Sequence, residues 1–293
     1  MRGSASTLHW GEPMRILSFG GGVDSSAILA YHLFSVDLNI DHVVFADTGA
    51  ESKSTYANVE RFKALCADAG LPFTVVSKGG ETITEWVTRL GIVPVMAGGS
   101  HVCSKKYKGD VIAAWVGENF PAEKITYLIG IEANEGKRTA AFTKPKIDNA
   151  DYEYPLQDLG MTRQDCLDLL EVEGFEVAKS SCVFCPFMSH AEIRDLRNDP
   201  EAWETIKLVE RRFSEESPRK HQAWLDAGKP FTWTKKEVKT DESTGAEFTP
   251  IGMRAPKGMW RKDAWGNGTR LFIRKHDGKQ LSVAEWEAQI DAA

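Results

Sequence analysis

The sequence predicts an α/β protein built on a parallel sheet, and three observations predict it. From Met14 to about Gly130, short apolar runs alternate with stretches of helical period, the signature of strands joined by crossover helices. A glycine run, Gly20-Gly21-Gly22, stands at the first junction of strand and helix. The composition, 42% hydrophobic and 27% charged over 293 residues, is that of an ordinary folded chain, long enough for one large domain or a domain with an appendage.

Taken in order, Arg15 to Phe19 reads as the first strand, Asp24 to Phe34 as a helix and His42 to Ala46 as the second strand. Tyr56, Val59, Phe62, Leu65 and Ala69 recur at helical spacing before the Gly70-Leu71-Pro72 break. Phe73 to Val76 is a third strand and Ile125 to Ile131 a fourth. Thr162 and Asp165 are spaced as a capping box ahead of Cys166, Leu169 and Leu170, and another helical stretch runs from about Ala191 to Phe213. From Lys229 onward Gly, Pro, Thr, Trp and charges mix without a period. The expected divisions are therefore 14–190 for a nucleotide-binding α/β domain with a cysteine site, 191–228 for a helical extension and 229–293 for an irregular appendage.

A net charge of −6 argues against a chain wrapped all over in nucleic acid, though not against a local basic patch. No apolar run approaches the roughly 18–20 residues of a membrane span, and no leader pattern opens the chain, so a cytoplasmic protein without membrane contact is expected. Five cysteines in such a chain disfavour a disulfide scaffold and direct attention to metal or catalytic use.

The segment Ser18-Phe19-Gly20-Gly21-Gly22-Val23-Asp24-Ser25-Ser26 lies between strand and helix, the context in which a glycine run cradles phosphate. Glycines permit positive φ and let backbone N–H groups close on phosphoryl oxygens, and the following helix offers unpaired N–H groups and the positive end of its dipole. Ser25 and Ser26 can add hydroxyl donors. A tight turn that binds nothing is the plainer alternative. The spacing is neither that of the lysine-bearing P-loop nor Gly-x-Gly-x-x-Gly.

The loop resembles the Ser-Gly-Gly-x-Asp-Ser signature of the PP-loop ATP pyrophosphatases, or adenine nucleotide α-hydrolases, with Gly20 in place of the leading serine. Asp47-Thr48-Gly49 followed by Ser54-Thr55-Tyr56 is similar to the phosphoadenosine-phosphosulfate reductase branch. So are Cys103 to Lys108, Gly130-Ile131-Glu132 with Arg138, and Cys182-Val183-Phe184-Cys185-Pro186-Phe187. The likeness spans about Met14 to Trp203. It implies a parallel five-stranded-type sheet with flanking helices, and ATP cleavage at the α-phosphate to leave an adenylated substrate. Cofactor contacts fall on Ser18, Gly20, Gly21, Gly22, Asp24, Ser25, Ser26, Asp47, Thr48 and Gly49. Asp24 is expected to meet Mg²⁺, with Lys108 and Arg138 offsetting charge on the α-phosphate. True reductases of this branch carry a nucleophilic cysteine in a C-terminal tail, and no cysteine follows Cys185 here. That counts against a sulfonucleotide reductase or sulfotransferase. A non-enzymatic nucleotide-binding module is the remaining alternative.

Cys182-x-x-Cys185 has a spacing suited to one metal or cluster. Cys103 is the natural third ligand, since related sulfur-handling members hold a four-iron cluster on an upstream cysteine and such a pair. A 4Fe-4S cluster, structural Zn²⁺ and buried thiols all remain open, and a cluster would imply sulfur transfer to a nucleobase or nucleic acid with a sulfur-donor protein as partner. Cys66 and Cys166 lie on apolar helix faces and read as core, Cys166 being also a conceivable fourth ligand. His101 and His190 flank the cysteines as further candidates. Between Met253 and His276, Arg254, Lys257, Arg261, Lys262, Arg270, Arg274 and Lys275 interleave with Trp260, Trp265 and Phe272. This mix suits nucleic-acid binding or an inward-packed hairpin. A homodimer is also open.

Overall fold

The computed structural model describes residues 13–94, 103–136, 150–226, 239–240, 247–248, 270–273 and 275–292. Two compact units divide the chain, one of residues 1–80 and 104–182, the other of 81–103 and 183–293.

The first unit holds β1 (Met14–Phe19), α1 (Val23–Phe34), β2 (His42–Asp47), α2 (Lys53–Ala69) and β3 (Phe73–Ser77). After the excursion into the second unit it continues, from residue 104 on, with a π-helix (Cys103–Gly109) that runs directly into α4 (Asp110–Asn119), then β4 (Ile125–Ile129) and β5 (Ala150–Glu153). The short α5 (Pro155–Asp158) and α6 (Arg163–Val172) complete it. The five strands form one all-parallel sheet in the order β3-β2-β1-β4-β5. Strand order reverses between β1 and β4, and in sheets of this kind the crevice outside the carboxyl ends of those two strands is where ligands bind.

Alternation along the strands sorts the two faces. Leu17, Phe19, Val43, Phe45 and Leu128 are buried with Ile28 and Leu29 of α1, Phe62 and Cys66 of α2, and Cys166 and Leu170 of α6. Ile16, Val44, Ala46 and Tyr127 face the other way, with Ile112 and Val116 of α4. Each fully buried Leu, Ile or Phe side chain contributes about 1.5–3 kcal/mol to this packing. Gly70, in the left-handed region at φ 72°, ends α2 at the expected break. The capping box at Thr162 and Asp165 forms as expected.

The second unit contains α3 (Ile83–Leu90), α7 (His190–Arg197), α8 (Pro200–Asp226) and α9 (Val283–Asp291). It also holds two short hairpins, β6 (Lys239–Thr240) with β7 (Glu247–Phe248) and β8 (Lys275–His276) with β9 (Lys279–Gln280). The helical stretch expected from Ala191 to Phe213 is two helices, because Pro200 cannot continue α7 and instead opens α8. Glu210 of α8 is buried, and its carboxylate accepts from the N–H groups of Leu271 and Val283 at 2.8 and 2.7 Å, tying the chain end to the helix. Among the described residues no helix is long and apolar enough to cross a membrane.

Candidate phosphate-binding loop and its neighbours

Gly20, Gly21 and Gly22 carry the chain from β1 into α1 at the reversal point of the sheet. Gly21 sits at φ 70°, and a Cβ there would lie 2.9 Å from Thr55 Cγ2. A Cβ on Gly22 would lie 2.5 Å from Ser180 Oγ, so neither position admits a side chain without displacement of its neighbour. The loop is braced from within. Ser25 Oγ accepts from Gly20 N at 3.1 Å and donates to Gly22 O at 3.2 Å, while Asn58 Nδ2 donates to Gly21 O and Ser26 Oγ at 3.0 and 2.8 Å. Both serine hydroxyls therefore hold the loop in shape. Ser18 lies within β1, its backbone paired with Val44 and Ile129.

The start of α1 lacks the side-chain cap that five other helices carry, as do the starts of α4 and α5. Ser52, Thr82, Thr162, Ser189 and Ser282 each cap their helix with a side-chain oxygen, four of them in reciprocal capping boxes. Gly22 caps α1 with no side-chain hydrogen bond. Gly22 thus brings no side-chain oxygen to the first turn of α1, and a helix start of this kind suits an anion.

Asp24 is the second residue of α1, and its carboxylate meets Arg163 of α6. Nη2 donates to Oδ2 at 3.1 Å and Nη1 lies 2.9 Å from Oδ1. The acid is nearly buried while the arginine side chain keeps 44% of its surface exposed. Gly130, just beyond β4, closes against the same turn, since a Cβ there would lie 2.8 Å from Ser25 N and 3.1 Å from Asp24 Cβ. The loop after β2 lies beside the glycine loop. Asp47 Oδ1 accepts from Gly49 N at 2.8 Å and from the Tyr56 hydroxyl at 2.7 Å. Burial, with that bond to Asp47 adding to it, raises the Tyr56 phenol above its ordinary range. Thr48 donates to Glu51 Oε1 at 3.0 Å, and its hydroxyl is 3.8 Å from Cys182 Sγ. Lys108 Nζ lies 2.9 Å from the same Glu51 oxygen, whose side chain is fully buried. A backbone bridge from Glu51 to Cys182, and the bond from Ser52 N to Ser181 O at 3.1 Å, bring Ser180 over Gly22.

The structure thus gathers Ser18, Gly20, Gly21, Gly22, Asp24, Ser25, Ser26, Asp47, Thr48, Gly49 and Lys108 at the carboxyl end of one sheet. Arg138 and His101, and residues 253–269 and Arg274 of the basic stretch, lie outside the described residues. Arg163, Glu51, Asn58 and Ser180 were not anticipated. None stands in a motif, and only the apolar faces of α2 and α6, which dock both helices on one sheet face, hinted that their polar neighbours would meet the loop.

Cys182 is buried with Thr48 as its neighbour, and Cys103 opens the π-helix. Among the described residues no three His, Cys, Asp or Glu side chains gather to hold a metal ion. Cys66 and Cys166 are core residues, and burial pushes both thiols up to about 12, with the Asp24 charge adding to the effect at Cys166. His190 packs its ring against His276 and Trp286, at 5.2 and 5.1 Å between centroids. Phe272 is fully buried. A cavity of about 620 Å³ opens elsewhere in the first unit, beside Val76, Ser77, Lys78, Lys106, Asp110 and Trp115. It shares no residue with the glycine loop.

No protein-family model matches the chain, and no curated protein matches it.

Proposed function

We propose that the protein binds ATP with its phosphate chain on the Gly20–Gly22 loop and cleaves it at the α-phosphate, as its resemblance to the PP-loop ATP pyrophosphatases implies. The observation that carries this reading is the run of three glycines at the sheet's reversal point, the last of which starts α1 without a side-chain cap. Backbone N–H groups and the helix dipole hold the β- and γ-phosphates there, while a substrate oxygen attacks the α-phosphorus. The new P–O bond forms as the α–β bridge breaks, and pyrophosphate leaves with the electron pair. Mg²⁺, when bound, offsets charge on the leaving group. Lys108 is 2.9 Å from buried Glu51, so it enters the reaction as half of a neutral pair rather than as a lone cation. Asp47, Thr48 and Gly49 form a rigid turn suited to the adenosine side.

For the acceptor half we propose a nucleobase or nucleic acid that receives sulfur, with Cys103, Cys182 and Cys185 as cluster ligands. This part rests on cysteine spacing. Two measurements test the whole. ATP should bind by calorimetry and release pyrophosphate in the presence of a nucleic-acid acceptor, and Gly22→Ala should abolish both. Anaerobically purified protein should contain iron and acid-labile sulfide; colourless protein holding zinc overturns the sulfur-transfer half alone.

A further inference from the structure

A carboxylate in the first turn of α1 suits the helix dipole but opposes a polyphosphate arriving at the same turn. Asp24 is such a carboxylate, and its side chain lies beside Gly130 and Ser25 N in the crevice between β1 and β4. The charge is met within the protein by Arg163, through one hydrogen bond of 3.1 Å and one ion-pair contact of 2.9 Å. A guanidinium carries five N–H donors in a planar fork. Asp24 engages two of its nitrogens on one edge, and the side chain keeps 44% of its surface open, so donors remain for a second anion. Arg163 is also held from behind. It is the first residue of α6, whose capping box at Thr162 fixes the helix start and whose buried Cys166 and Leu170 dock the helix in the same core as α1.

Resting on the nucleotide reading above, we infer that Arg163 is a phosphate-binding residue of the glycine-loop site, that Asp24 positions its guanidinium, and that the pair lets the site take a polyphosphate without a divalent cation. The arginine neutralises the acid that would repel the ligand and presents its outer edge to the phosphate chain. A divalent ion bound to the ligand does the same work by a different route, so dependence on Arg163 is greatest when that ion is removed.

The test is calorimetric titration of inorganic pyrophosphate and of ATP, each in EDTA and in excess Mg²⁺, into the parent protein, Arg163→Ala and Arg163→Lys, with thermal melting of each variant as a check on folding. The parent binds both ligands in EDTA. Arg163→Ala weakens both at least about tenfold in EDTA and less in Mg²⁺, and Arg163→Lys, which keeps the charge but loses the fork, falls between. Equal affinity of parent and Arg163→Ala in EDTA overturns the inference, as does an equal loss with and without Mg²⁺. A parent that binds only with Mg²⁺ overturns this inference and leaves the nucleotide reading standing. A parent that binds neither ligand under either condition removes the nucleotide reading itself.

Discussion

Two acid–base pairs stand at the carboxyl end of the sheet, and they are built in opposite senses. In the Asp24–Arg163 pair the base is the open partner, nearly half exposed, and the acid lies just below the surface. In the Glu51–Lys108 pair the acid is wholly enclosed, shares its oxygen with Thr48 and leaves only the lysine partly in reach of water. An open guanidinium can turn to a ligand at little cost, whereas an enclosed carboxylate cannot lose its cation without leaving a buried charge unpaired. The first pair is therefore suited to binding and the second to holding the β2–α2 loop and the Cys182 segment in place.

The largest effect is expected at the enclosed pair. Lys108→Ala strands Glu51 without its cation and should lower unfolding free energy by about 3–5 kcal/mol, measured by urea denaturation. The same substitution in a Glu51→Gln background should cost far less, and equal costs in both backgrounds would erase the distinction between the pairs. Next comes Gly22→Ala, whose Cβ meets Ser180. Crowding of this kind costs about 1–3 kcal/mol, and Ser180→Gly should restore part of the lost stability and nucleotide binding. Asp24→Asn should change stability by only about 1 kcal/mol, the scale of a first-turn charge with a partly exposed partner. A loss as large as that at Lys108 would make both pairs structural.

Glu210 gives the smallest and most specific signal, because it is a buried acid held by two backbone N–H groups. Burial raises its carboxyl above the ordinary value of 4.5, outweighing those hydrogen bonds and Arg270. Between the unfolded and the raised folded value the folded chain binds more protons, so stability falls as pH rises through that window. Melting temperatures taken upward from about pH 4.5 should decline in the parent protein, and the slope should flatten in Glu210→Gln. No difference in slope would mean that the carboxyl titrates as if it were in water.

How far the site was legible follows from range along the chain. The glycine loop and the Asp47-Thr48-Gly49 turn are local, since their shape depends on residues a few positions apart, and motif and strand period found them. The capping box at Thr162 and the break at Gly70 were readable for the same reason. Asp24 was legible as a site residue but not as the partner of Arg163, which lies 139 residues further along. Glu51 is buried beside Cys182, 131 residues further along, an approach that no local pattern around Glu51 signals. The helical stretch expected from about Ala191 to Phe213 is helical, and it divides at Pro200.

The sequence by itself determined the α/β class, four of the five strands of the sheet and the place of its glycine turn, because hydrophobic period and glycine geometry act over a few residues. Only the tertiary structure decided which charges face one another there. Ion pairs such as Asp24–Arg163 and Glu51–Lys108 arise where the packing of α6 on α1, and of the π-helix beside the β2–α2 loop, brings distant residues within 3 Å. No spacing along the chain encodes that approach.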